Sequence, residues 1–263
     1  MRRKELQING SRVSYFEEGT GEPVVLLHGF CGSALYWEKI VPLLSKDYRV
    51  IAIDLPGHGQ SENLPGSSSI KKIAAHIRDF LVQAGVKKSA MFGHSMGGYV
   101  TLSFAEQFPE MLKGFSLVHS TAHPDSEEAK RARSINAGKI ESEGLNPFID
   151  GLVPKLFAET FSGRNEKAVE RAKDIGYSTS KEGAIVSLLA MKDRPDFNHV
   201  LEQASMPILL IAGKLDGVVP PEKTFSVDKP HVRKGLIEDA GHMGMYESPD
   251  ELAGQMKAFL ESL

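Results

Sequence analysis

The sequence predicts a doubly wound α/β fold: a mostly parallel sheet of about eight strands, interrupted by an inserted helical cap. Three observations lead there. The runs "PVVLL" (23–27), "YRVIAID" (48–54), "SAMFG" (89–93), "GFSLVH" (114–119) and "PILLIAG" (207–213) are short and almost unbrokenly apolar, as strands buried on both faces must be. Segments with helical spacing lie between most of them, at 35–45, 69–84 and 95–108, and another closes the chain at 249–262; strands alternating with helices imply parallel crossover units. The alternation fails between 121 and 200, where charged, helix-prone sequence such as "DSEEAKRARSINAGKIESEG" carries no strand signal.

Taken in order, "ELQI" and "RVSYFEEG" alternate in polarity and meet at Asn9-Gly10, a pair suited to a tight hairpin turn. The stretch "GSSS" at 66–69 reads as a loop ending in a helix N-cap. The core is thus expected in two parts, 1–120 and 201–263, around a cap at 121–200. Apolar residues recur at helical spacing inside the cap, among them Phe148, Leu152, Leu156, Phe157, Leu188 and Leu189, and such a face must be covered. A small core within the cap would cover it. If the cap also roofs a pocket, Phe148, Leu152, Leu156, Phe157 and Leu188 bind substrate.

A chain of 263 residues is long enough for a core that needs no staples, and 41% hydrophobic with 25% charged residues excludes a largely disordered chain. A net charge of −3 gives no pull toward nucleic acid or anionic lipid, so a small-molecule partner is expected. The basic start "MRRKELQING" leads into no apolar stretch, and no apolar run is long enough to span a bilayer. Cys31 is the single cysteine, which excludes an internal disulfide and a cysteine-based zinc site. A cytoplasmic location is expected. Cys31 itself directly follows "HGF" at 28–30, where it is either an inert small hydrophobe or reachable by a bulky thiol reagent.

The chemistry concentrates in "FGHSMGGYV" at 92–100. Ser95 falls between a buried-strand pattern and a helix, with Gly93 and Gly97 two residues to either side. That is the context in which G-x-S-x-G forms a sharp elbow that lifts a serine above the sheet. A serine hydroxyl needs a base, and folds of this kind supply acid and histidine later in the chain. His242, in "DAGHMG", follows the short strand "KGLIE", whereas His231 precedes it; His242 is preferred. His94 is expected to pack beside the elbow. Asp216, in "GKLDGVVPP", directly follows the run 207–213 and is the preferred acid, with Asp239 a weaker alternative. Phe30, in "HGF" at 28–30, and Met96 are placed to offer backbone N–H groups to a developing oxyanion.

Together "LLHGFCGS", "DLPGHGQS", "GHSMGGYV", "AGKLDGVVPP" and "AGHMGMYESP" closely resemble the α/β-hydrolase superfamily over about residues 20–120 and 205–263. The elbow has Ser95 where dehalogenases and epoxide hydrolases of that superfamily have aspartate. Met243 stands where hydroxynitrile lyases have lysine and ring-cleavage C–C hydrolases often have tryptophan. The resemblance therefore implies esterase, enol-lactonase or thioesterase-like chemistry on a small acyl substrate through an acyl-enzyme, with Ser95, His242 and Asp216 as triad and no metal or organic cofactor. A C–C bond hydrolase, a cofactor-free perhydrolase and a non-catalytic small-molecule receptor remain alternatives.

Overall fold

Asn9 and Gly10 both take positive φ, 51° and 84°, which gives the two-residue turn the twist that antiparallel strands require. Around it β1 (Arg2–Ile8) pairs with β2 (Ser11–Glu18) from Ile8 opposite Ser11 outward. The computed structural model describes residues 2–66, 69–163 and 165–263. Six further strands complete one sheet: β3 (Pro23–Leu27), β4 (Arg49–Ile53), β5 (Ser89–His94), β6 (Leu112–Val118), β7 (Ile208–Gly213) and β8 (Val232–Ile237). Their order is β1-β2-β4-β3-β5-β6-β7-β8, with β1, β2 and β4 paired antiparallel and the rest parallel.

All residues of β5 and β7 are buried, which is why those segments are continuous apolar runs rather than alternating ones. The edge strand β8 is half exposed and carries Arg233 and Lys234, charges that discourage pairing with another chain. Helix Ile70–Gln83 buries Ile70, Ile73, Ala74, Ile77, Phe80 and Leu81 along one face. Its cap is Ser69, whose side chain accepts the Lys72 N–H; Ser67 and Ser68 of the same stretch lie outside the described residues.

One departure from expectation has a local cause. The segment 35–45 is not one helix but a 3-10 turn, Ala34–Trp37, followed by a single helical turn, Val41–Leu44. Pro42 has no N–H to return to the preceding turn, so a continuous helix is interrupted there. Between β6 and β7 the regular elements among the described residues are all helical, from Glu127–Glu143 through Lys181–Lys192 to Asn198–Gln203. Helices Glu127–Glu143 and Lys181–Lys192 pack on each other. Among the described residues no helix is long and apolar enough to cross a membrane.

Chain order places β3 beside β4 on one side and β5 on the other, so the direction of winding reverses between β3 and β5. Crevices for ligands open at the carboxyl ends of strands at such a reversal. Ser95 follows β5, and the "HGF" loop follows β3.

Candidate active site

Ser95 has φ 51° and ψ −115°, a conformation that costs a non-glycine residue energy and persists only where its surroundings impose it. The surroundings are tight. A side chain on Gly97 would come within 2.5 Å of the Leu27 carbonyl oxygen and 2.7 Å of that of His28, and one on Gly93 would strike the Gly97 carbonyl. A side chain on Gly98 would collide with Ser120, whose hydroxyl donates to the Ser95 carbonyl at 2.7 Å. Helix Met96–Gln107 then leads away, buried on all sides from Met96 to Ala105.

His242 Nδ1 donates to Asp216 Oδ2 at 2.8 Å, and His242 Nε2 lies 2.9 Å from Ser95 Oγ. The Asp216 bond puts the ring proton on Nδ1 and leaves Nε2 free to accept from the serine hydroxyl. Asp216 is itself fixed, since its Oδ1 accepts the N–H groups of Val218 and Val219, each at 2.8 Å. Burial pushes its pKa upward, but the adjacent His242, by charge and hydrogen bond, and then His119 and the Val219 N–H outweigh that and hold it below the ordinary carboxylate value. Asp239, the weaker alternative, is exposed.

The "HGF" loop reaches the elbow closely: a side chain on Gly29 would lie 3.1 Å from Ser95 Cβ and 2.7 Å from His94 Nδ1. His28 braces it, donating from Nδ1 to the Gly29 carbonyl at 2.7 Å and accepting the Leu55 N–H at Nε2, 2.8 Å. The Phe30 and Met96 N–H groups find no hydrogen-bond acceptor among the described residues, so both remain available to an oxygen developing charge. His94 packs at the elbow as expected and also ties it to the histidine loop, donating from Nε2 to the His242 carbonyl at 2.9 Å. His119 is fully buried, with Nδ1 3.7 Å from Asp216 Oδ2. Burial drives its pKa down to about 4, against the opposing pull of Asp216.

Ser95 and His242 open into a cavity of about 80 Å³, walled in part by Leu152 and Leu156. The other three expected lining residues lie elsewhere. Phe148 stands edge-on to Phe30 with ring centres 6.0 Å apart and lines a separate hollow of about 330 Å³ that holds neither Ser95 nor His242. Phe157 stacks on Phe161 and meets Tyr246, and Leu188 is buried in the packed interior. None of the three lines the cavity that holds Ser95 and His242. Cys31 does not face the mouth: it is completely buried, and burial raises its thiol pKa well above the ordinary value.

Sequence reasoning missed Tyr36, Tyr99, Arg133, Met191 and Val218, which also line the cavity, and Glu247. The Glu247 carboxylate accepts the N–H groups of Ala158, Gly241 and Met243, while the His242 N–H donates to the Leu156 carbonyl at 2.9 Å. The histidine loop and the segment 156–158 are thereby stitched together. Glu247 falls five residues beyond His242 in "HMGMYE", a proximity that could have marked it. Nothing local distinguishes Arg133 from its charged neighbours. Among the described residues no group of three His, Cys, Asp or Glu side chains is arranged to hold a metal.

A family model for the alpha/beta hydrolase fold matches residues 22–249. The chain belongs to that family and is a hydrolytic enzyme. It is 30% identical over 258 residues to the pimeloyl-[acyl-carrier protein] methyl ester esterase of Aliivibrio salmonicida, covering 93% of this chain and 94% of that protein. Among solved structures it is similar to a thermophilic esterase from Thermogutta terrifontis with malate bound, at TM-score 0.93 and 30% identity over 100% of this chain and 99% of that one. The enol-lactonase from Burkholderia xenovorans has a TM-score of 0.91 at 23% identity, covering 98% of this chain and 100% of that one, a likeness of fold.

Proposed function

We propose that this hydrolase is a serine esterase that cleaves short acyl esters or lactones through an acyl-enzyme. The observation that carries the reading is the unbroken hydrogen-bond chain from Ser95 Oγ through His242 to Asp216. In it Ser95 attacks the carbonyl carbon while His242 Nε2 takes the hydroxyl proton. His242 then gives that proton to the leaving alkoxide, and Asp216 stabilises the imidazolium in between. The Phe30 and Met96 N–H groups receive the oxyanion. Water, activated by the same imidazole, attacks the acyl-enzyme and releases the acid.

Two further facts favour esters. The similar proteins from Aliivibrio salmonicida and Thermogutta terrifontis are esterases by name. A cavity of about 80 Å³ is room for about three water molecules, which suits a short acyl group. Residues 121–200 serve as the lid over it, with Leu152 and Leu156 on its inner wall.

A panel of p-nitrophenyl esters, lactones and acyl thioesters, run on the wild type and on Ser95→Ala, tests this. Short esters or lactones should turn over, and Ser95→Ala should abolish turnover with an unchanged melting temperature. Wild-type rates in Ser95→Ala, or a panel left wholly uncleaved, would defeat the proposal.

A further inference from the structure

We infer that the substrate carries a carboxylate remote from the cleaved bond, and that Arg133 receives it. This rests on the reading of Ser95 as nucleophile and names the class of substrate that site takes.

Arg133 lies on the long helix Glu127–Glu143 and lines the cavity that holds Ser95 and His242. The other lining residues are aromatic, aliphatic, histidine or serine, so Arg133 is the one permanently charged group among the described residues of that wall. Tyr99, Arg133 and Val218 also border an adjoining cavity of about 680 Å³. A guanidinium therefore stands where the small space over the serine meets a larger one.

Its setting leaves its binding edge free. Arg133 Nε donates to Asp125 Oδ2 at 3.0 Å, while Asp125 Oδ1 accepts from Arg194 Nη1 at 2.7 Å. Arg194 is almost wholly buried, lies 3.9 Å over the Tyr99 ring, and spends further donors on the carbonyls of Met191 and His123. Asp125 thus has two cations for one charge. Neither amino nitrogen of Arg133 makes a hydrogen bond to the described residues. An arginine serving only to pair with Asp125 would gain most from a two-pronged contact. Here the contact is single, and the remaining fork is held in place with unused donors. The larger cavity has the same excess: Arg133, Arg194 and Lys223 face Asp125 and Asp196. Asp196 is exposed and already accepts from Asn198. A carboxylate matches the free fork in shape and charge.

The test compares monomethyl glutarate with dimethyl glutarate, which share a skeleton and differ in one charge. Arg133→Gln should lower kcat/KM on the monoester by about 10- to 100-fold and on the diester by less than about 2-fold, with Arg133→Lys between. A second pair, the butyryl esters of glycolic acid and of methyl glycolate, places the carboxylate on the alcohol side. The pair with the larger Arg133 effect shows which side it occupies. Equal losses on charged and neutral esters, or no loss on either charged ester, would overturn the inference. Hydrolysis of p-nitrophenyl acetate, which has no carboxylate, reports separately on the Ser95 reading. Calorimetric titration with glutarate tests the site even if no ester is cleaved: binding that weakens in Arg133→Gln supports it, and absent or unchanged binding overturns it.

Discussion

Backbone strain gathers around the candidate nucleophile, Ser95. Among the described residues four non-glycine positions have positive φ, and Cys31, Ser95 and His119 among them adjoin the site; only Asn9, in the hairpin, lies apart. Ser95 is held by its surroundings, its carbonyl accepting the Ser120 hydroxyl. Asp216 has two tasks, orienting His242 through Oδ2 and anchoring its own loop through Oδ1. Asp216→Asn preserves the second and impairs the first, because an amide can present a donor to Nδ1 and favour the wrong tautomer. Its kcat should fall about 10³- to 10⁴-fold with little change in KM, and His242→Ala should fall about 10- to 100-fold further. Steady-state kinetics on both variants check this. An Asp216→Asn enzyme of wild-type rate would mean that another acid serves.

Elements separate residues that share a periodicity. Leu152 and Leu156 line the cavity, whereas Phe157 stacks on Phe161 and Leu188 is buried in the core. Leu152→Ala should lengthen the preferred acyl chain, because it enlarges the space over Ser95 while leaving the histidine loop intact. Such a change in one pocket side chain shifts discrimination by about 1–3 kcal/mol. Phe157→Ala and Leu188→Ala should instead cost about 2–5 kcal/mol of stability and leave the acyl-length profile as in the wild type. Melting temperature and chain-length profile measured on the same three proteins decide it. An unchanged profile for Leu152→Ala would remove that leucine from the substrate wall.

Across the whole molecule, buried neutral histidines set an acid limit to stability. Burial is the first cause in each case: it lowers His28 and His94 well below the ordinary histidine value, and His58 and His119 to about 4. Each binds a proton in the unfolded chain at a pH where the folded chain refuses it. The stability they contribute is therefore fully present above about pH 6.5 and is lost as pH falls toward 4. For His58 and His119 the loss is of the order of 3 kcal/mol each by pH 4. Denaturant unfolding at pH 7, 5.5 and 4.5 should show a midpoint falling steadily; a flat midpoint over that range would show that these rings are not held neutral. The lowered pKa of Asp216 acts in the same direction at still lower pH.

What the sequence determined by itself is what depends on neighbours along the chain. Strands buried on both faces can carry few polar side chains, so β3 to β7 stood out as apolar runs. The elbow was legible because Gly93 and Gly97 are needed within two residues of Ser95, where a side chain would strike backbone. Asp216 and His242 were legible because strand ends and chain order locate them. Tertiary structure alone decided what each buried face meets. Helical spacing marks Phe157 and Leu152 equally, yet one covers Phe161 and the other the cavity. Charge has the same ambiguity: Arg133 sits in "AKRARS", and only the folded chain brings it to the wall of the cavity that holds Ser95 and His242. Spacing tells which side of an element leaves water, but its partner is set by the packing of segments as far apart as Ser95 and His242, and no local pattern encodes that meeting.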